Sequence, residues 1–282
     1  MEVEYEFNLN DLELALNYMK FYDDELAYLG LTSQSETTLR DRLGYSLFYN
    51  FQQSNNFNVI FPREFSDKLD PPVKIRNRKN PQKKTKMDMA VLVSKDFYKD
   101  KDLSPNYISI IECKNVYTTG ILIPSEWKNW VNNFLSDFEK NDQIIEKRID
   151  KKRITQFEVC FITDFTIDPF YYDRWEDNWF TYDSYIKYLY DMTGGLHDKL
   201  KTFEPYRQQG TLLQEIENTF LSSFPSPYYE VRSGKLDRNK KHRLHYFSVD
   251  IYYVIIEKKW CSCYEEHLCN LCNQKIIDQL SK

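Results

Sequence analysis

Asp88, Glu112 and Lys114 are the residues of this chain whose types and spacing could do chemistry together. Glu112 and Lys114 stand in the run NYISIIECKN, residues 106–115, an apolar strand pattern that ends in charge. Side chains alternate along a strand, so Glu112 and Lys114 project from one face and Cys113 from the other. Asp88 opens the preceding apolar run, Met87 to Val93. If those two strands are neighbours, its carboxylate reaches the same edge as Glu112. Two converging carboxylates make a hard oxygen pocket that suits Mg2+ or Mn2+, and the backbone carbonyl of Cys113 could complete the shell. Such an ion would hold a phosphate oxygen and lower the pKa of a bound water. Lys114 would orient that water or offset charge on the phosphate. The same residues also read as the charged end of an edge strand, where charge suppresses aggregation, and Asp88 as a surface partner of Lys86.

A metal pocket that acts on phosphate needs the phosphate brought to it. Lys74, Arg76, Arg78, Lys79, Lys83, Lys84 and Lys86 form a run without acids just before Asp88. They read as a flexible basic loop able to neutralise several phosphates. Lys240, Lys241 and Arg243, in a second basic loop from Lys235 to Arg243, read either as phosphate contacts or as solvated lysines, with His242 and His245 on the phosphate side of that choice. Further on, Cys261, Cys263, Cys269 and Cys272 crowd into twelve positions with His267 among them. Close thiol pairs suit a structural tetrahedral Zn2+, with His267 as a substitute ligand. Buried free thiols or a redox pair are the alternatives.

The elements that must position these residues follow from periodicity. A first helix is expected from about Asp11 to Ala27, opened by Asn10-Asp11-Leu12-Glu13 as a capping box and stopped near Gly30. A second begins near Ser35 and carries Leu39, Leu43, Leu47 and Phe51 as one stripe. Strands are expected at Phe57–Phe61, Met87–Val93 and residues 106–115. A long helix from Ser125 buries Trp127, Trp130, Val131, Phe134, Leu135 and Phe138, and Phe157–Ile162 is a fourth strand. Beyond Asp164 the pattern suggests helices at Tyr185–Met192 and Leu212–Leu221, a strand pair at Tyr228–Arg232 and Leu244–Ile256, and a short final helix. A mixed sheet flanked by helices, an α/β layer arrangement, is the natural packing.

Asp88, 23 intervening residues and then Glu112-Cys113-Lys114, set in an αβββαβ order, resemble the PD-(D/E)XK nuclease superfamily with its restriction-endonuclease-like fold. The resemblance covers roughly Ser33 to Phe165. It implies Asp88 and Glu112 as metal ligands and Lys114 as the catalytic lysine. A further acid on the preceding helix would be Glu36, although Ser33-Gln34-Ser35-Glu36 also reads as a capping box. Met87 stands where the motif has proline, a position without a chemical role. The implied activity is Mg2+-dependent phosphodiester hydrolysis, with a DNA endonuclease of restriction or phage-defence type ahead of an RNase or a junction or flap nuclease. A non-catalytic nucleic-acid-binding or assembly subunit is the reading from another class.

Composition narrows the field. Glycine occurs only 7 times in 282 residues, and there is no GxGxxG or GxxxxGK[ST], which counts against nucleotide-binding loops. A net charge of −5 makes any nucleic-acid surface a local one. The acidic amphipathic start is unlike a signal peptide, and no run is long and apolar enough to span a membrane, so a cytoplasmic location is expected. The organisation expected is an N-terminal helical segment (1–32), the nuclease core (33–165) and a C-terminal α+β region (166–282) for target recognition or oligomerisation. A homodimer or a defence-complex partner would fit double-strand cutting.

Overall fold

The computed structural model describes residues 7–22, 25–31, 35–54, 58–60, 63–73, 82–94, 107–146, 154–167, 202–238, 242–244 and 247–259. The expected helix Tyr185–Met192, the cysteine cluster with His267 and the final helix lie outside them, as do Lys74, Arg76, Arg78, Lys79, Lys240 and Lys241.

Eight strands occupy six positions in one mixed sheet. Strands β1 (Asn58–Ile60) and β2 (Arg63–Val73) follow one another along the same edge of β3 (Gln82–Ser94), both antiparallel to it. On its other side β3 pairs antiparallel with β4 (Tyr107–Tyr117). Strand β5 (Thr155–Ile167) lies parallel to β4, after a crossover through α4 (Thr118–Leu122) and α5 (Pro124–Glu146). Antiparallel to β5 runs β8 (Phe247–Lys258), whose far edge pairs with β6 (Tyr229–Lys235) and β7 (His242–Leu244). The sheet therefore continues past residue 165, with β8 matched to β5 along its full length.

Helices cover both faces. On one side lie α1 (Leu9–Asn17), α2 (Glu25–Leu31) and α3 (Ser35–Ser54). Leu39, Leu43 and Leu47 of α3 are fully buried, as their four-residue spacing requires, and α3 faces Met89 at Gly44. Phe7 meets Phe157 edge-on at 5.7 Å, and Tyr253 of β8 donates to Asn17 of α1. On the other side α5 buries Trp127, Val131, Phe134, Leu135 and Phe138. It packs against α7 (Leu212–Ser223), where Trp127 lies tilted against Phe220 at 4.6 Å between centroids and donates to Ser223 Oγ. A short helix, α6 (Glu204–Gln209), precedes α7, and its Arg207 grips buried Asp164 through two nitrogens.

Three expectations need correcting. The single helix from Asp11 to Ala27 is two, because the chain leaves the helix at Tyr18 and buries Met19 and Phe21 in the turn. Its capping box is formed by Asn8 and Asp11 rather than by Asn10 and Glu13, and Gly30 lies inside α2. Lys83, Lys84 and Lys86 do not belong to a loop. The strand begins at Gln82, and β2, an edge strand that tolerates Pro71-Pro72 at a register shift, pairs with this stretch. Finally, His242 is buried against Asp237 at 3.2 Å, which removes it from phosphate contact, whereas Arg243 is exposed.

Candidate functional site

The β3–β4 ladder ends at Met89–Ile111, one residue short of Asp88 and Glu112. Beyond that pair β3 continues with β2 and β4 with β5. The two acids thus sit in the fork where neighbouring strands part, a place where side chains from both helical layers can meet.

From the α3 side, Arg40 reaches Asp88 Oδ1 at 3.3 Å. The other carboxylate oxygen of Asp88 accepts the main-chain N–H of Cys113 at 2.9 Å, which closes the fork at its root. One turn earlier, Glu36 accepts the N–H of Asn115 at 3.1 Å. That bond gives Glu36 a place beside β4, and its burial raises the carboxyl pKa against the lowering by Lys114 and the Asn115 amide.

From the α5 side, Lys140 donates to Glu112 Oε1 at 2.6 Å and to Asp137 at 2.9 Å, and Lys114 pairs with Asp137 Oδ2 at 2.6 Å. Four charges of alternating sign therefore run from strand to helix and back to the strand. Glu112 is 3 % exposed, and burial pushes its carboxyl up to about 7 despite Lys140, helped by the like charges of Asp137 and Asp88. Asp137 moves the other way, because Lys140 and Lys114 together outweigh its burial. The zipper extends along the sheet: Asp142 of α5 accepts from Gln156 of β5 and pairs with Lys258 of β8.

Glu158 lies on β5 in register with Glu112. It is fully buried, and neither carboxylate oxygen has a hydrogen-bond partner among the described residues.

Asp88, Glu112 and Lys114 thus stand at one fork with Glu36 beside it, and the charges of Lys114 and Asp88 act on both Glu36 and Glu112. The Cys113 side chain points to the opposite, core face, as alternation requires. Among the described residues no three His, Cys, Asp or Glu side chains form a group that could hold a metal ion. The donor chemistry nonetheless fits a hard divalent ion, since Mg2+ is commonly held by one or two carboxylates and completes its shell with water. Asp88 and Glu112 would hold it, with the Cys113 carbonyl as a further oxygen donor, whereas Glu36, bonded to the Asn115 amide, does not join them as a third carboxylate.

Sequence reasoning missed Arg40, Asp137, Lys140 and Glu158. Asp137 and Lys140 follow Phe134 at successive three-residue steps, so charge enters beside a buried stripe. Glu158 is a lone acid in the apolar run Phe157–Ile162, and a buried acid asks for a partner. No family model, curated protein or solved structure matches the chain.

Proposed function

We propose that the chain is a PD-(D/E)XK-type nuclease, a Mg2+-dependent phosphodiester hydrolase with DNA as the favoured substrate. The observation that carries this reading is the placement of Asp88, Glu112 and Lys114 around one strand fork. Helix α3, the antiparallel β1/β2–β3–β4 meander, the α5 crossover and parallel β5 follow the order that the resemblance implies, which supports it.

A bound divalent ion would supply charge neutralisation at the phosphate and acidify a water. The protein's own residues do the rest. The Cys113 amide and Arg40 hold the Asp88 carboxylate in one orientation at the fork. Lys140 holds Glu112 and compensates its buried charge. Lys114, kept charged by the surrounding carboxylates although burial opposes it, offers its ammonium to a developing phosphate charge. Lys83, Lys84 and Lys86 on β3 lie upstream of Asp88 on the same strand, so a phosphate backbone following β3 leads to the fork. A role in restriction or phage defence, and a dimer, remain part of the proposal.

The test is incubation of the purified protein with supercoiled and linear DNA, and with RNA, in Mg2+ and in EDTA. Metal-dependent cleavage lost in Asp88→Ala and Lys114→Ala supports the reading; equal products from wild type and both variants sink it. A second reading has its own observation: Glu112, Lys114, Asp137 and Lys140 satisfy one another, as in a non-catalytic binding subunit that keeps the network to tie α5 to the sheet. Salt-sensitive binding without cleavage would favour that reading.

A further inference from the structure

Glu158 is a buried acid that the proposed reaction leaves without a task. Glu112 and Glu158 are register partners on parallel strands, as are Lys114 and Cys160. All four side chains stand on the face that α5 covers, so Glu158 is the diagonal neighbour of Lys114. A fully buried carboxylate with no hydrogen bond is costly and calls for a donor. Few donors are near. Lys140 already spends two of its three on Glu112 and Asp137.

Lys114 has donors to give. Its ammonium carries three, and the ion pair with Asp137 engages one. Burial raises the Glu158 carboxyl well above its ordinary range, and among the charges that work the other way Lys114 comes first. The unpartnered Glu158 oxygens and an ammonium with donors beyond its Asp137 pair are therefore diagonal neighbours on adjacent strands.

We propose that Glu158 is a positioning residue for Lys114, a second berth beside Glu112 that the ammonium takes when Asp137 turns away. The long flexible stem of the lysine makes the exchange a matter of side-chain rotation. For catalysis this rests on the nuclease reading: the Glu158 berth holds the ammonium against the strand face that carries Glu112, while the Asp137 berth holds it against α5.

Acylation of Lys114 by an N-hydroxysuccinimide ester, followed by peptide mass spectrometry on metal-free protein, tests the two berths directly. Asp137→Asn and Glu158→Gln should each label within about threefold of wild type, and the double variant at least about tenfold faster, because each berth covers for the other. A single Asp137→Asn variant that labels as fast as the double, or a double that labels like wild type, overturns the proposal. Each variant is used only with a cooperative melt, and Glu158→Met, which removes both oxygens, replaces Glu158→Gln if that fails. In the cleavage assay Glu158→Gln should lower kcat about tenfold with KM unchanged; an unchanged kcat removes the catalytic role. If wild type cuts no nucleic acid, the nuclease reading falls, and the labelling result still decides whether the second berth exists.

Discussion

Asp88 accepts the Cys113 main-chain proton at 2.9 Å, so an acid of β3 is bonded to the backbone of β4 one residue past the end of their ladder. This bond and the Arg40 contact give Asp88 a structural duty alongside its proposed chemical one. Asp88→Ala strands a backbone donor and should cost about 1–3 kcal/mol in urea unfolding. Asp88→Asn keeps one acceptor oxygen and should lose less, while abolishing Mg2+-dependent cleavage. Equal stability of the two variants would show that the amide bond contributes nothing.

Lys140 compensates a nearly inaccessible carboxylate. Lys140→Met leaves Glu112 buried beside Asp137 without its ammonium, and should destabilise by about 3–5 kcal/mol. Adding Glu112→Leu removes the stranded charge and should restore part of that loss. A double variant worse than the sum of its singles would contradict this account.

Glu112 also sets a pH dependence. Its folded carboxyl, at about 7, lies above its ordinary 4.5, so the folded state holds the proton where the unfolded chain has released it. This contribution is fully present below about 4.5, and stability falls as pH rises through 7. Unfolding free energies measured from pH 4 to 8 should show that decline, and Glu112→Gln should flatten it. The proposed binding of Mg2+ would need the ionised acid, so added Mg2+ should raise the melting temperature more at pH 8 than at pH 6.

Gly234 pairs with Tyr253 across β6 and β8, and a Cβ at Gly234 would stand 2.3 Å from the tyrosine hydroxyl. Gly234→Ala must displace that ring and its bond to Asn17, loosening α1 from the sheet. Overpacking of this kind typically costs about 1–3 kcal/mol. A lowered melting temperature, with faster hydrogen exchange in α1, is the expected result.

Periodicity was enough to find α3, β4, α5, β5 and α7, because each buries a stripe or an alternating face that shows in the residue order. Strand β2 was hidden by its composition: Arg63–Val73 holds two prolines and five charged residues and is stabilised by pairing with β3. Lys83, Lys84 and Lys86 looked like a loop for the same reason, since backbone pairing leaves little trace in side chains. Asp88, Glu112 and Lys114 were visible because two of them share one strand and the third opens the run before it. Arg40, Asp137, Lys140 and Glu158 owe their place to tertiary packing, and their distance in sequence from the acids they serve conceals them.

The central place of β8 has a consequence for synthesis. Residues 247–258 supply the partner for the whole length of β5, about ninety residues downstream of it. While the ribosome still holds them, β5 carries Glu158 on a strand with one open edge, and open edges invite pairing with other chains. Assembly of the site thus waits on the emergence of a strand that contributes none of its proposed catalytic residues. A nascent chain stalled before Phe247 should be held by chaperones or aggregate, whereas one released beyond Lys258 can close its sheet.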